Sequence, residues 1–320
     1  MLQNIVFAAV VAIAAGSYSD SLARNKLVRL SGATFSNTPQ ECLNHFLPNA
    51  ELIQQVTLPC DFFKKDTCSG YVAVSHSDKA VVVAFRGTEG FTQLISEGGL
   101  TAFVKKVDFA IGGQVGEYFF NGYDILWQGG LKDSFLKAKN ANPTYKIWVT
   151  GHSLGAAFAT LAASVIVHVG YAPVNNVVLY TFGQPRVGDA DFAAAHDKLG
   201  LDCYRVTHKQ DIVPHVPPEI FKYKHHKSEV WYNNGMTISE PFIECDADEG
   251  KTCTDSNLLA LSTTDHTYYF NHSVSGFGFS NCVGNFKSYV IDKEFDAKVN
   301  AIWKQKIAEL EDASGKIDFV

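Results

Sequence analysis

An α/β fold, with a mostly parallel central sheet flanked by helices, is what this chain predicts. Three observations carry that reading. Residues 80–85 and 176–182 are short runs that stay apolar on both faces, as strands covered by helices must be. Such runs alternate along the chain with stretches of helical character, at 124–140, 154–169 and 189–199. Between two of them lies the most informative segment. The β-branched and aromatic residues 145–150 lead into Gly151-His152-Ser153-Leu154-Gly155, and an alanine-rich helical stretch follows at once.

The elements follow in order. Ile5 to Ala15 is an uninterrupted run of eleven apolar residues ending in Ala14-Ala15-Gly16, a small-x-small cleavage pattern. It is too short to span a bilayer, which takes about 20 residues as a helix, so residues 1–16 are read as a secretory signal and the protein as secreted. No later segment looks transmembrane. Residues 17–69 read as a mixed leader. Residues 70–74 and 79–85 are strands about a His76-Ser77-Asp78 turn. Arg86-Gly87-Thr88 and a glycine-rich stretch without clear periodicity continue to about Gly116. The helix at 124–140 stops at Asn140 to Pro143, and strand 145–150 enters the Gly-x-Ser-x-Gly turn. Helix 154–169, strand 176–182, helix 189–199 (stopped by Gly200) and strand 201–207 complete the alternation, so residues 17–286 form one α/β domain. In the extension 287–320, Phe295, Val299, Ile302, Trp303, Ile307 and Leu310 recur at helical spacing among Lys and Glu. That is an amphipathic helix, expected to pack on the domain rather than to meet a membrane or partner.

With 46% hydrophobic residues in 320, the chain can bury a large core unaided. A net charge of −6 with no long run of like charge excludes nucleic-acid binding by field. Seven cysteines agree with export. Cys60 and Cys68, and Cys245 and Cys253, each enclose a polar loop of seven residues; Cys42 and Cys282 are then left to bridge the ends, and Cys203 reads as a buried free thiol. Spacing alone does not decide such pairings. Neither Cys-x-x-Cys nor His-Glu-x-x-His occurs, so no metal is expected. Asn271-His272-Ser273 is an open glycosylation acceptor.

Strand, Gly-x-Ser-x-Gly and helix in succession are the context of a nucleophile elbow, in which a strained turn lifts the serine hydroxyl out at a strand end. Ser153 is the candidate nucleophile; a serine capping a helix is the plainer reading. A serine needs a histidine to take its proton, and the histidine needs a carboxylate to hold its tautomer. Asp211, just past a strand end, is the candidate acid, although an aspartate entering the Ile212-Val213-Pro214 turn is equally at home as an Asx cap. Downstream histidines are His215, His225, His226, His266 and His272. His266 is preferred, because the aromatic residues after it can bury the far side of its ring. The backbone N–H of Leu154, at a helix start, is one candidate oxyanion donor; Thr88, after the strand ending at Phe85, is the other.

These motifs resemble the class 3 (fungal-type) triacylglycerol lipase family. The marks are Phe85-Arg86-Gly87-Thr88, the elbow through Ala157, Phe182-Gly183-Gln184-Pro185-Arg186-Val187-Gly188-Asp189, Asp211-Ile212-Val213-Pro214 and Asp265-His266-Thr267-Tyr268-Tyr269. They occur in family order over about residues 65–280. The resemblance implies an α/β-hydrolase-like fold, a triad of Ser153, Asp211 and His266, an oxyanion hole at Thr88 and Leu154, no cofactor, and a lipid ester substrate met at a lipid–water interface. It leaves open a phospholipase, a short-chain esterase or a silent lipid-binding relative, and says nothing of oligomeric state. Where family members carry His-x-Gly-Phe, this chain has Phe120-Asn121-Gly122-Tyr123, taken as structural. The family's lid falls at Glu89 to Lys106, where Phe91, Leu94, Ile95, Leu100 and Phe103 would form an apolar underside interrupted by Gly98-Gly99.

Overall fold

The computed structural model describes residues 17–60, 67–88, 95, 99–249, 251–257, 261–283 and 292–314. The expected signal, the lid residues Phe91 and Leu94, and the first residues of the C-terminal extension lie outside them.

One eight-stranded sheet organises the molecule, in the order β1-β2-β3-β6-β7-β8-β9-β10. Its members are β1 (Ala50–Pro59), β2 (Thr67–Ser75), β3 (Ala80–Phe85), β6 (Lys146–His152), β7 (Val177–Phe182), β8 (Asp202–His208), β9 (Glu229–Tyr232) and β10 (Ile243–Cys245). The five strands from β3 to β9 run parallel, and antiparallel strands finish both edges. Strands β4 (Lys106–Asp108) and β5 (Gln114–Gly116) pair separately. The apolar runs are the central strands, and β3 and β7 are buried throughout.

Alternate side chains of the sheet feed two cores. On one face Val81, Val83, Phe85, Val149 and Leu179 pack under helices α3 (Glu117–Leu126), α4 (Lys132–Ala141), α5 (Leu154–His168) and α6 (Ala190–Lys198). On the other, Val82, Ala84, Trp148, Tyr180 and Val206 meet α1 (residues 20–33), α2 (Pro39–Phe46) and α8 (Val274–Phe279). Between β9 and α8 lies the short α7 (Thr263–Thr267), and α9 (Lys293–Ser314) closes the described chain.

Two local expectations shift. The residues read as a mixed leader hold α1, α2 and a ten-residue edge strand. That strand was hidden because Glu51, Gln54 and Gln55 punctuate it, as an edge strand's exposed side allows. The helix expected at 124–140 begins at Glu117 and is interrupted at Trp127–Leu131, where Gly130 takes a φ of 132°. The aromatic run before Asp124 is helical because Phe119, Tyr123 and Leu126 share one buried face. Cys42–Cys282, Cys60–Cys68 and Cys245–Cys253 are bonded, and Cys203 is a buried free thiol, in agreement with the expected pairing.

Candidate active site

Parallel strands share a carboxyl edge, and the candidate residues collect there. Thr88 follows β3, Ser153 follows β6, and Asp211 follows β8; His266 arrives on α7, joined to Asp211 by a parallel bridge between Asp211 and Ser262.

The turn after β6 is as sharp as its glycines permit. Ser153 has φ 61° and ψ −130°, a positive-φ conformation costly for any residue with a Cβ. Its N–H donates to Phe182 O at 2.9 Å, tying it to the next strand. A methyl on Gly151 would lie 2.2 Å from Gly155 O, and one on Gly155 would lie 2.3 Å from Phe85 O. A strand, a helix and a neighbouring strand thus meet backbone to backbone. Helix α5 is buried from Leu154 to Ser164 and so must be small-sided, which explains its alanines.

Asp211 and His266 are paired. Nδ1 of His266 lies 2.9 Å from both carboxylate oxygens of Asp211, and both side chains are buried. Burial alone would raise the aspartate's pKa. The charge and hydrogen bond of His266, the Tyr269 hydroxyl at 2.6 Å and the Val213 N–H at 2.8 Å outweigh it, and the carboxyl is held below its usual range. Val213 N–H bonding Asp211 is the Asx turn of the plainer reading, so one carboxylate makes both arrangements at once. Gly183 (φ 56°) makes room for the pair: a Cβ there would fall 2.7 Å from Asp211 Oδ2 and 2.8 Å from His266 Nδ1.

Nε2 of His266 and Oγ of Ser153 are both buried, and neither has a hydrogen-bond partner among the described residues. The serine–imidazole bond is therefore not made in this structure. Two unsatisfied polar atoms in one buried region are costly, and catalytic hydrogen bonds often tighten only when substrate is bound. The ring of His152 stacks on His266 with centroids 4.5 Å apart, and its Nε2–H donates to His266 O at 2.8 Å. Burial, reinforced by the neighbouring His266, pushes the His152 pKa down to about 3, so this ring is a neutral support.

Thr88 and Leu154 line one narrow cavity with Tyr118, Phe158 and the Cys60–Cys68 bridge. Leu154 is the first residue of α5, whose N-terminus favours negative charge. Gly87 lets the Thr88 turn close on the elbow, since a Cβ would meet His152 O at 2.8 Å and Ser153 Cβ at 3.1 Å. Arg86 bonds Thr67 O and its hydroxyl, fastening the same turn to β2. Beside it, Ile95, Leu100 and Phe103 of the expected lid are buried, Phe103 against Phe119. In the Phe120-Asn121-Gly122-Tyr123 stretch, Gly122 admits Phe158, so a packing role is visible there.

The other histidines belong elsewhere. His215 faces Asp255, and His225 bonds Pro214 O and, through its N–H, Glu249. His196, Cys203 and His226 come within reach of one metal ion. Yet both ring nitrogens of His226 are engaged, by Gln184 and the Lys227 carbonyl, and its ring packs on His196 at 4.0 Å. That is the pattern of a packed, neutral cluster. Tyr269, His152, Gly183 and Val213 were not singled out beforehand. The aromatic pair after His266 and the histidine inside the elbow were visible, but their partners are defined only by folding.

A model of the family described as Lipase (class 3) matches residues 82–221. "Lipase ZK262.3" of Caenorhabditis elegans is 34% identical over 298 residues, 83% of each chain. "Secreted mono- and diacylglycerol lipase 1" of Fusarium solani is 33% identical, over 72% of this chain and 68% of that one. Among solved structures, lipase II from Rhizopus niveus superposes with a TM-score of 0.70 at 28% identity, over 82% of this chain and 96% of its own. Another, described as a triacylglycerol lipase whose catalytic centre is a serine-protease triad, also gives 0.70 at 28% identity, over 80% and 95%.

Proposed function

Because the chain belongs to the class 3 lipase family and is a carboxylic ester hydrolase of the α/β-hydrolase fold, we propose that it cleaves acylglycerol esters outside the cell, with Ser153, His266 and Asp211 as its triad. The observation that carries the triad is the 2.9 Å contact of His266 with Asp211 at the strand edge from which Ser153 emerges. In this mechanism Ser153 Oγ attacks the ester carbonyl as Nε2 of His266 takes its proton. Asp211 holds Nδ1–H and stabilises the imidazolium. The N–H groups of Leu154 and Thr88, with the Thr88 hydroxyl, receive the oxyanion. The proton then passes to the leaving alcohol, an acyl-enzyme remains, and water resolves it by the same route to the fatty acid.

Residues 1–16 are the proposed secretory signal and 287–320 a helical extension of the lipase-like domain at 17–286. The secreted relative and three disulfides support export. Among the described residues no helix is long and apolar enough to cross a membrane. Asn271 is exposed on its turn, as a glycan acceptor must be. The buried Ile95, Leu100 and Phe103 support a segment whose apolar side faces the domain in water and lipid when displaced.

Ser153→Ala is the test. It is expected to abolish hydrolysis of a p-nitrophenyl ester series while the protein stays folded; hydrolysis at the parent's rate sinks the mechanism. A rate jump above the solubility limit of the ester supports action at an interface, and equal rates on dissolved and emulsified ester favour a plain esterase.

A further inference from the structure

The helix beyond the α/β domain reaches the histidine's own loop. Asp296, in the first turn of α9, is buried, and its carboxylate accepts three hydrogen bonds. Ser262 Oγ donates to Oδ2 at 2.8 Å; the Thr263 N–H and hydroxyl donate to Oδ1 at 2.9 and 2.8 Å. One turn on, Asn300 accepts the Leu261 N–H at 3.0 Å and donates back to Leu261 O at 2.5 Å. Val299, between them, is in the core.

Ser262 is where these bonds matter. It is the N-cap of α7, its Oγ accepting the Asp265 N–H at 3.0 Å, and His266 is the fourth residue of that five-residue helix. Its backbone is laced to the acid's turn: Ser262 N–H donates to Gln210 O at 2.7 Å, and Ile212 N–H to Ser262 O at 3.2 Å. An isolated helix of five residues has no stability of its own. Its orientation must come from its cap and from whatever holds that cap. Here the cap hydroxyl is shared between α7 and the carboxylate of Asp296.

We propose that Asp296 is a positioning residue for the reaction: from the C-terminal extension it fixes Ser262 and Thr263, and through them the angle at which His266 meets Asp211 and Ser153. The inference rests on the triad proposed above. It also gives the extension a part in turnover. Misplacing a reacting group by about 1 Å can cost about 100-fold in rate, whereas lost packing alone lowers stability and leaves turnover by the folded fraction unchanged.

The test compares Asp296→Ala, Asp296→Asn and Ser153→Ala in the full secreted chain. The readouts are kcat and KM on a soluble p-nitrophenyl ester, and the low-field proton NMR signal of an imidazole N–H bonded to carboxylate. Asp296→Ala is expected to lower kcat about 10- to 100-fold with KM within about twofold, and to broaden or erase the low-field signal. Asp296→Asn keeps an acceptor for Thr263 and an amide to donate to Ser262, so it is expected to restore both. A folded Asp296→Ala with the parent's kcat and an unchanged signal overturns the proposal. Should that variant not fold, Asn300→Ala, which removes only the second clasp, decides: a kcat lowered about three- to tenfold supports positioning, and an unchanged kcat overturns it. Ser153→Ala separates the premises. If it hydrolyses ester at the parent's rate, the triad reading fails, while the NMR comparison still reports whether Asp296 orients His266.

Discussion

Asp211 is a fully buried carboxylate, and three donors take the place of hydration: the His266 ring, the Tyr269 hydroxyl and the Val213 N–H. Tyr269 reaches Oδ2 at 2.6 Å, at the oxygen His266 also faces. Hydrogen bonds to charged groups contribute about 1.5–3 kcal/mol, so Tyr269→Phe is expected to lower unfolding free energy by about that amount at pH 7. The folded-state pKa of Asp211 is depressed, so its contribution is full above the unfolded value of about 4 and is lost as pH falls through the folded one. The variant's deficit should therefore shrink below about pH 4. Urea unfolding of both proteins at pH 7 and pH 3 checks this; an equal deficit at both would mean the lost term is packing.

The elbow, as an element, is a junction of three backbones. Gly155 sits where α5 crosses β3, and an added methyl group would meet Phe85 O at 2.3 Å, well inside contact distance. Backbone cannot step aside as a side-chain tip can. Gly155→Ala is expected to cost about 2–4 kcal/mol of stability. It should also depress ester turnover in the fraction that folds, because Leu154 N–H is moved. Denaturant unfolding with kcat measured alongside tests both halves; a variant as stable and as active as the parent would refute the junction. Helix α9 shows the contrasting case. Its sequence is amphipathic, yet Phe295 and Ile302 remain exposed; Val299 is buried and Trp303 packs against the core, and Asp296 and Asn300 add polar attachments.

At the scale of the whole molecule, two features set its tolerance of harsh conditions. The Cys42–Cys282 bond joins residues 240 apart, linking α2 to the turn that follows α8. Closing so long a loop removes much entropy from the unfolded chain, and replacing both cysteines by serine is expected to cost about 4–5 kcal/mol. A calorimetric melting temperature unchanged by the double replacement would contradict that. Acid is the second. Burial, reinforced by His266 beside His152 and by Arg205 beside His196, depresses the pKa of both rings to about 3, and those of His225 and His226 also lie well below normal. Unfolded, these rings take protons below about pH 6.5; folded, they do not until far lower. Stability is thus full above about pH 6.5 and falls as the pH drops toward 3, each ring steepening the decline by up to about 1.4 kcal/mol per pH unit. His196→Gln should flatten the slope measured by urea unfolding between pH 6.5 and 4, and an unaltered slope would show that the ring is protonated in the folded state.

What lay open in the sequence was whatever depends on neighbours along the chain. The apolar runs marked β3 and β7, the glycine spacing marked the elbow, and the loops between cysteines pointed to two of the three disulfides. The family order of motifs singled out Ser153, Asp211 and His266 from among many serines, aspartates and histidines. The edge strand β1 escaped because polar residues interrupt it where one side is exposed, and α3 because its aromatic face has meaning only against α5. Tertiary structure alone decided that His266 Nδ1 meets Asp211 at 2.9 Å, that Tyr269 and His152 attend that pair, and that a helix some thirty residues downstream holds the cap of α7. The physical reason is common to all of these. A periodic pattern records how one element meets water, whereas a hydrogen bond between distant residues depends on where the packed sheet brings their backbones, and no local pattern encodes that.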